Sequence, residues 1–496
     1  MNKINFVDTT LRDGIQSLWG ARMSTAMAYP IVSSIDQAGF EAVDFTGGAI
    51  FVFQIKTYRE NPWERMRLLT SKMTRTPLSL MMLAYTISAF KPMQGPIIRL
   101  WLERCYANGL RRIQPMDDSN NMDRIAETVS YAKEAGFEVV IALIYSHSPV
   151  HTDDYFERKA KDIAGLSPDG VYLKDPGGLL TPERVKTLIP RIQGAIGNLP
   201  LEIHSHCTTG LAPMCYLEAV KLGVRTVHTA IQPLAYGSGQ PSVTNVVENL
   251  DVLGYESNLD LDAIRSVSEH LHHVARREGF PVGQIPELDM GQYEHQIPGG
   301  VISNLKRQLA EMGFEHRLKE VINEVMRVRT ELGYPIMVTP ISQYVVTQAT
   351  LNITLGERYQ QVLDEIVKLV LGCYGPQAGL MDQNLLDRVS SLPIAGKYKD
   401  WHIPRPSIDE LREEYGRDVS DDELLLRVLC QNQKEIEAMH AAGSIDTYYP
   451  PVQKPLLEII EKLIKQKKHA HIYFERDDFR IKLGRSSGHR RNSGDS

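Results

Sequence analysis

Two histidines, His204 and His206, stand two positions apart at the end of an apolar run with the length of a β-strand. Alternate residues of a strand point to the same face, so both imidazoles can reach one metal ion. Imidazole nitrogens bind Zn²⁺, Mn²⁺ or Co²⁺, and a carboxylate from another strand end would complete such a site. A His-x-His pair can also consist of one buried and one exposed histidine, so the pair alone does not decide.

Two further segments carry polar groups directly after strand-like runs. The segment DTTLRDGIQ contains Asp13, and the segment LKDPGG contains Lys174. Each has an ordinary alternative role: Asp13 can cap a helix or pair with Arg12, and Lys174 can be a solvated or snorkelling lysine. The case for a shared site is stronger because these two segments and the histidine pair would follow strands 1, 6 and 7 of one barrel.

The elements that must position these groups alternate through about residue 250, as short apolar runs separated by amphipathic stretches. This pattern predicts parallel strands joined by helices. Eight such units in ~250 residues favour a closed (β/α)₈ barrel of the TIM type. An open doubly wound sheet is the alternative, although no GxGxxG motif follows the first strand. The predicted strands are Ile4–Asp8, Ala42–Phe45, Leu78–Leu83, Arg112–Pro115, Glu138–Leu143, Gly170–Lys174, Leu201–His204 and Thr226–Thr229.

After about residue 255 the spacing of apolar residues becomes mostly helical. We therefore predict an α/β chain with a barrel over residues 1–300 and a helical region over residues 301–483. The polar, glycine- and serine-rich residues 484–496 are predicted to be disordered. The predicted helices in the second half are Leu259–Arg277, Val301–Glu311, Glu315–Leu332, Arg358–Leu371 and Pro455–Lys468.

The composition of the 496 residues excludes several classes of protein. A net charge of −6 with both signs interspersed argues against nucleic acid as a partner, because phosphate binding needs concentrated Lys and Arg. No apolar run reaches the ~18 residues that span a bilayer. The N-terminus lacks a signal-peptide pattern, and the five cysteines form no CxxC pair. We expect an intracellular, cytoplasmic protein without a zinc ribbon.

Eight segments, in order, resemble one family: the carboxyltransferase domain of pyruvate carboxylase, the alpha subunit of oxaloacetate decarboxylase and the pyruvate-side subunit of transcarboxylase. The resemblance implies a barrel whose mouth is closed by the helical region. It also implies carboxyl transfer between biotin and a small 2-oxo acid such as pyruvate or oxaloacetate. The segments are DTTLRDGIQS (8–17), GG with NPWERMRLL (47–69), SPVHT (148–152), LKDPGGLLTP (173–182), HSHCTTGLA (204–212), TAIQPLAYGSGQPS (229–242), QIPGGVISNL (296–305) and VTPISQYVVTQA (338–349).

The resemblance also implies a ligand set for a divalent metal. Asp13, His204 and His206 fall on the family's metal ligands. Lys174 falls on a lysine that carbon dioxide converts to a carbamate, and a carbamate oxygen then binds the metal. A carbamate can do so because it carries oxygen lone pairs, whereas an ammonium group has none.

Three other residues receive roles from the same resemblance. Arg12 and Gln16 fall on positions that contact the 2-oxo acid or its enolate. Thr339 falls on the residue that carries the proton from the methyl group of the acid to biotin. Ordinary alternatives exist for two of them: Gln16 can be a surface residue, and Thr339 can end a loop before Pro340, which suits a helix start.

Six positions depart from the family's usual residues. Replacing an arginine and its tyrosine partner by Leu83 and Phe90 removes donors that could hold biotin or a carboxylate. Losing both partners leaves no donor unpaired, so the change is structurally tolerable. We hypothesise an altered acceptor acid or altered biotin handling. The other departures are Gln114 for arginine, Val52 and His228 for aspartate, and Ile15 for histidine, while Asp117 and Asn120 are kept.

The chain contains no biotinylation segment of the Ala-Met-Lys-Met type and no ATP-grasp region. The biotin carrier protein and the biotin carboxylase, or another carboxyltransferase subunit, are therefore expected as separate chains. The resemblance further leads us to expect a homodimer or a larger complex.

Two other functions compete with carboxyl transfer. Gly14 in TLRDG resembles the metallo-lyases and Claisen-type aldolases of the hydroxymethylglutaryl lyase group, which use a similar barrel and a His-x-His pair. Lys174-Asp175, SPVHT and residues 296–349 favour the carboxyltransferases instead. The third hypothesis is a non-catalytic assembly subunit, against which the intact metal set argues.

Overall fold

In the computed structural model, eight parallel strands form a closed barrel in chain order, and the last strand pairs with the first. The structure describes residues 2–88, 91–430, 432–451, 463, 471–476 and 479–484. The predicted barrel is therefore confirmed and the open sheet is wrong. The strands are β1 (Asn5–Asp8), β2 (Ala42–Thr46), β3 (Leu78–Leu83), β4 (Arg112–Met116), β5 (Glu138–Ile144), β6 (Gly170–Asp175), β7 (Leu201–Ser205) and β8 (Thr226–Thr229).

The strands form where the sequence is apolar and rich in branched side chains. In β5, with the sequence EVVIALI, every residue except Glu138 is buried. Parallel strands covered on both faces favour such continuous apolar runs. The predicted strand bounds therefore differ from the observed ones by at most one residue at either end.

Helices follow the strands and begin at capping residues. Asn61, Thr152 and Thr181 accept hydrogen bonds from backbone N–H groups of the first turns that follow them. Pro62 and Pro182 occupy first-turn positions, where the missing N–H costs nothing. The helices are α1 (Ile15–Trp19), α2 (Thr25–Ala28), α3 (Val32–Gln37), α4 (Gly48–Phe53), α5 (Pro62–Thr70), α6 (Pro96–Ala107), α7 (Met122–Ala135), α8 (Asp153–Gly165), α9 (Pro182–Ile196), α10 (Ala212–Lys221), α11 (Val243–Val252) and α12 (Leu261–Glu278).

The rest of the chain is mostly helical up to residue 442. Its helices share an apolar core that includes Leu309, Val325, Val345 and Val367. They are α13 (Gly291–His295), α14 (Gly299–Glu311), α15 (Leu318–Glu331), α16 (Ile341–Thr354), α17 (Asp364–Val370), α18 (Gln383–Ser390), α19 (Ala395–Tyr398), α20 (Ile408–Tyr415), α21 (Asp421–Cys430) and α22 (Gln433–Ala442).

The segment that connects α15 to α16 packs on the barrel. Ile336 and Val338 belong to a buried apolar cluster with Leu83, Met116 and Ile144, which are the last residues of β3, β4 and β5. This contact places the start of α16 beside the carboxyl ends of the strands.

One predicted helix begins too early. The sequence predicts a helix over Arg358–Leu371, but α17 begins only at Asp364. Side-chain amides of α16 hold the preceding segment in another conformation. Asn352 accepts from the backbone N–H of Tyr359, and Gln348 bonds to backbone groups of residues 361 and 363.

Residues 449–496 form a separate unit, in which β9 (His471–Arg476) and β10 (Phe479–Gly484) pair antiparallel. The sequence did not predict this hairpin. The predicted helix Pro455–Lys468 and the predicted disordered residues 484–496 lie outside the described residues, apart from residue 463 and from Gly484, which is the last residue of β10 and not disordered. The domain boundary near residue 300 stays a prediction. In the part of the chain that the structure describes, no helix is both long and apolar enough to cross a membrane.

Candidate metal centre

Four predicted site residues meet at the carboxyl ends of β1, β6 and β7. Lys174 of β6 and His204 of β7 are direct neighbours in the strand register, so their side chains point the same way. His206 follows β7, and Asp13 lies in a π-helical turn, Thr10–Gly14, after β1. The closed barrel brings β1 next to β8 and thus near β7.

The side chains of these residues converge on one point. The Nε2 atoms of His204 and His206 are 3.3 Å apart. Asp13 Oδ2 lies 3.5 Å from His204 Nε2, and Asp13 Oδ1 lies 3.6 Å from His206 Nε2. Lys174 Nζ is 3.8 Å from Asp13 Oδ2. All four residues are buried.

The surroundings of His206 determine which of its nitrogens carries the proton. Its Nδ1 lies 2.5 Å from the carbonyl oxygen of Ser238. A carbonyl only accepts hydrogen bonds, so Nδ1 carries a proton, and in the neutral imidazole Nε2 is the nitrogen with the lone pair. That lone pair points into the space shared with His204 and Asp13.

Gln240 is a further neighbour of both histidines. Its amide nitrogen lies 3.2 Å from His204 Nε2 and 3.1 Å from His206 Nε2. Its amide oxygen lies 2.7 Å from the hydroxyl of Thr9, which also lies 3.0 Å from the carbonyl of Thr229. Turned by half a rotation, the amide would donate to Thr9 and present its oxygen to a cation.

Charges around Asp13 keep it ionised. Burial alone would raise the pKa of Asp13, but Arg12, His206, His204 and Lys174 together lower it well below the ordinary value. Arg12 Nη2 lies 2.9 Å from Asp13 Oδ2. Asp13 is therefore a carboxylate with oxygen lone pairs at neutral pH.

Lys174 has little to stabilise its charge. Burial and the nearby positive charge of Arg12 lower its pKa to about 8, against the opposing effect of Asp13. A considerable fraction of the amine is neutral near this pH, and a neutral amine is the form that reacts with carbon dioxide.

This donor set fits a divalent metal. Two imidazole nitrogens with free lone pairs and a carboxylate face one another within 4.8 Å. Burial also lowers the pKa of His204 well below its usual range, so its imidazole is neutral. Neutral imidazole and carboxylate are the ligands that Zn²⁺, Mn²⁺ and Co²⁺ accept.

The other predicted site residues lie at different distances from this centre. Arg12 donates through Nε and Nη2 to Asp44, and its Nη1 has no hydrogen-bond partner among the described residues. Gln16 is half-buried on α1, three positions after Asp13. Thr339 is half-buried and directly follows Val338, a member of the buried apolar cluster at the ends of β3, β4 and β5, which we call the barrel-mouth cluster. Within the described residues, no hydrogen bond or ion pair joins Thr339 to the metal centre.

Sequence reasoning missed Asp44 and the polar interior of the barrel. Asp44 is a buried carboxylate in the otherwise uncharged β2, which was a usable signal. Below the metal centre, Arg112 of β4 and Glu202 of β7 form an ion pair of 2.5 Å. The bond crosses the barrel, since β4 and β7 are not neighbours.

The positions that depart from the family's usual residues lie in several places. Leu83 is buried at the end of β3, Gln114 is buried on β4 and Ile15 is buried on α1. Val52 is half-buried on α4, and Phe90 lies outside the described residues. His228 is buried on β8, with its Nδ1 atom 3.1 Å from Nδ1 of His204.

Comparisons with known proteins identify relatives of this chain. A family model described as "Conserved carboxylase domain" matches residues 293–464, and one described as "HMGL-like" matches residues 112–271. A pyruvate carboxylase subunit of Methanocaldococcus jannaschii is 34% identical over 465 residues, 92% of this chain and 81% of the relative. The 2-oxoglutarate carboxylase large subunit of Hydrogenobacter thermophilus is 30% identical, over 87% of this chain and 67% of the relative.

The fold also matches solved structures. The carboxyl transferase domain of Rhizobium etli pyruvate carboxylase, solved with pyruvate and biocytin, superposes with a TM-score of 0.80 at 23% identity. The match covers 91% of this chain and 79% of that one. It shows a shared barrel with a helical region after it.

Proposed function

This chain belongs to the pyruvate carboxylase family of biotin-dependent carboxyltransferases, and we propose that carboxybiotin reaches its site on a separate carrier chain. The family resemblance that the sequence predicted is confirmed, and with it an enzyme that transfers a carboxyl group between biotin and a 2-oxo acid. The lyase alternative shares the HMGL-like part of the barrel, whereas the carboxylase relatives match most of the chain.

The proposed metal ligands are Asp13, His204, His206 and a carbamate on Lys174. The observation that carries this proposal is the convergence of two imidazole lone pairs and one carboxylate beside a buried lysine. Carbamylation joins the neutral Nζ of Lys174 to the carbon of carbon dioxide and releases one proton. The product is an anion that can bind a metal ion, whereas the protonated form of Lys174 would repel one.

The remaining residues bind the acid and move a proton. When bound, the metal supplies positive charge that stabilises an enolate. Arg12 is proposed to hold the carboxylate of the 2-oxo acid with Nη1, because Asp44 fixes the rest of the guanidinium. Gln16, one turn along the same segment, is proposed to contact the acid as well. Thr339 is proposed to pass the methyl proton of the acid to biotin through its hydroxyl.

The barrel-mouth cluster supports the position of Thr339. Val338 is buried against the ends of β3, β4 and β5, so its neighbour Thr339 lies at the rim of the barrel that holds the metal centre. An apolar rim also limits water near the reacting groups, which favours transfer of the carboxyl group over its loss.

The acceptor acid and the partner chains complete the proposal. Pyruvate and oxaloacetate are the proposed substrate pair. Because Leu83 stands where the family usually has an arginine, another 2-oxo acid is the second candidate for the acceptor. A biotin carrier protein and a biotin carboxylase are the proposed partners, and the assembly is proposed to be a homodimer or a larger complex.

The deciding experiment measures pyruvate release from oxaloacetate by the purified, metal-loaded chain, with and without free biotin. The rate is corrected for decarboxylation by free metal. Release that biotin stimulates and that chelation of the metal abolishes is expected. No release by a chain that still binds metal would overturn the pyruvate–oxaloacetate pair, and a screen of other 2-oxo acids and of acyl-CoA cleavage would then separate an altered acceptor from a lyase.

A further inference from the structure

A chain of four buried side chains leads from the barrel interior to the metal centre. Arg112 Nη2 lies 2.5 Å from Glu202 Oε1, and Glu202 Oε2 lies 2.8 Å from His228 Nε2. His228 Nδ1 then lies 3.1 Å from His204 Nδ1. All four residues are buried. The last of these four side chains, His204, is a proposed metal ligand, so the hydrogen-bonded series ends at the proposed metal site.

The chemistry of the two outer groups fixes where each proton lies. The guanidinium of Arg112 only donates, and the carboxylate of Glu202 only accepts. Glu202 therefore requires the proton of His228 on Nε2. A neutral imidazole carries one proton, so His228 Nδ1 is an acceptor. His204 must then carry its proton on Nδ1, which leaves its Nε2 with a lone pair toward Asp13 and His206.

We propose that His228 is a positioning residue that holds His204 in the tautomer whose Nε2 binds the metal. Hydrogen bonds to the second nitrogen of a ligand histidine fix its tautomer and orientation in metal sites. Here the bond is a relay through a second imidazole to Glu202, which lies two residues before His204 on the same strand. This inference rests on the metal site proposed above.

Tyr172 holds the ring of His228, and Tyr216 holds its backbone. Tyr172 stacks on the imidazole, with ring centroids 5.4 Å apart and planes 14° from parallel. The hydroxyl of Tyr216 donates to the backbone carbonyl of His228 at 2.7 Å. The aspartate that the family usually carries at this position would put a second buried carboxylate beside Glu202. The imidazole instead donates to Glu202, so the residue at 228 suits the interior of this barrel.

Two substitutions of His228 separate the relay from packing. His228→Gln keeps the relay, because an amide offers an acceptor to His204 and a donor to Glu202 side by side. His228→Phe keeps a ring against Tyr172 but offers neither. His151→Gln is the matched control: His151 is also a buried histidine, but it bonds to the hydroxyl of Ser148 at 2.7 Å.

The experiment titrates metal-free full-length protein with Co²⁺ and follows the visible absorption of the bound ion. His228→Phe is expected to weaken binding by about 10–100-fold and to change the spectrum, as loss of a partner of a ligand histidine does. His228→Gln and His151→Gln are expected to bind like the wild type. Equal affinity and an unchanged spectrum in His228→Phe would overturn the inference while leaving the metal site intact. No binding of Co²⁺ by the wild type would overturn the metal site itself.

A second measurement does not depend on whether the variants fold. Nitrogen-15 spectra of labelled histidines in the wild-type protein distinguish the two tautomers of a neutral imidazole. A proton on Nδ1 of His204 and on Nε2 of His228 is expected. A proton on Nδ1 of His228 would overturn the relay.

Discussion

Leu83, the last residue of β3, packs in the same buried apolar cluster as Val338, the residue before Thr339. Position 83, where the family usually has an arginine, therefore also supports the segment that carries Thr339, the proposed proton carrier. A change at Leu83 should act on the acceptor pocket and on the position of Thr339 together.

An arginine at position 83 is expected to destabilise the folded protein. In Leu83→Arg a guanidinium would enter a buried apolar cluster, and a buried charge that lacks its partner costs roughly 3–5 kcal/mol. Leu83→Met, which conserves volume, is the control. Urea unfolding measures both variants. An arginine variant as stable as the methionine variant would show that the side chain at 83 reaches a polar cavity.

Removal of the Thr339 hydroxyl should abolish carboxyl transfer without loss of the bound metal. Thr339→Ala is expected to lower biotin-stimulated pyruvate release by about 10²–10⁴-fold, the usual contribution of a positioned proton carrier. Thr339→Ser keeps a hydroxyl and is expected to retain much of the rate. Metal content by elemental analysis should stay at the wild-type level in both. Full activity in the alanine variant would remove Thr339 from the mechanism.

Carbamylation of Lys174 should increase with pH at a fixed concentration of dissolved carbon dioxide. Burial and Arg12 lower the pKa of Lys174 to about 8, so the reactive neutral amine grows as the pH rises through this value. Its fraction changes from about 3% at pH 6.5 to about 75% at pH 8.5. Carbon-13 spectra of metal-free protein with labelled bicarbonate should show the carbamate signal.

Two variants of Lys174 provide the comparison. Lys174→Ala should lack the carbamate signal and bind metal weakly. Lys174→Arg keeps the positive charge but cannot form the carbamate, so it should lose metal as well. Normal metal binding by the arginine variant would show that no carbamate is needed.

Glu202 should make the free energy of unfolding depend on pH in the acid range. Burial alone would raise its pKa, but the charge of Arg112 and the bond from His228 lower it to about 2, below the ordinary value of 4.5. A lowered carboxyl pKa stabilises the folded state above pH 4.5, and this stabilisation is lost as the pH falls toward 2. Between pH 6 and pH 3 the free energy of unfolding should fall by about 2 kcal/mol more in the wild type than in Glu202→Gln. Parallel urea curves of metal-free protein test this, and equal losses would contradict it.

The barrel could be predicted because it follows from local patterns, whereas the proposed ligand set also needed the resemblance to a known family. Buried parallel strands are continuous apolar runs, and catalytic groups sit at their carboxyl ends. Lys174 and the histidine pair stand at the ends of such runs, and Asp13 follows the first run within a few residues. The closed barrel then brings these polar groups to the same end of the sheet.

The relay behind His204 could not be predicted in the same way. Arg112, Glu202 and His228 come from β4, β7 and β8, and their contacts depend on which side chains meet across the barrel interior. Sequence spacing does not contain that information. The late start of α17 has a similar cause, since side chains of Gln348 and Asn352, on another helix, compete for the backbone before Asp364.

The seam between β1 and β8 has a consequence for how the protein folds and holds its ion. This seam joins distant parts of the chain, as the bond between Thr9 and the carbonyl of Thr229, 220 positions away, illustrates. Asp13 comes from one side of the seam and the histidines from the other, so an ion bound by both acts as a cross-link across the ring. Such a cross-link can form only after the last strand has docked on the first. The ion would therefore slow the opening of the barrel, and its release would report that opening.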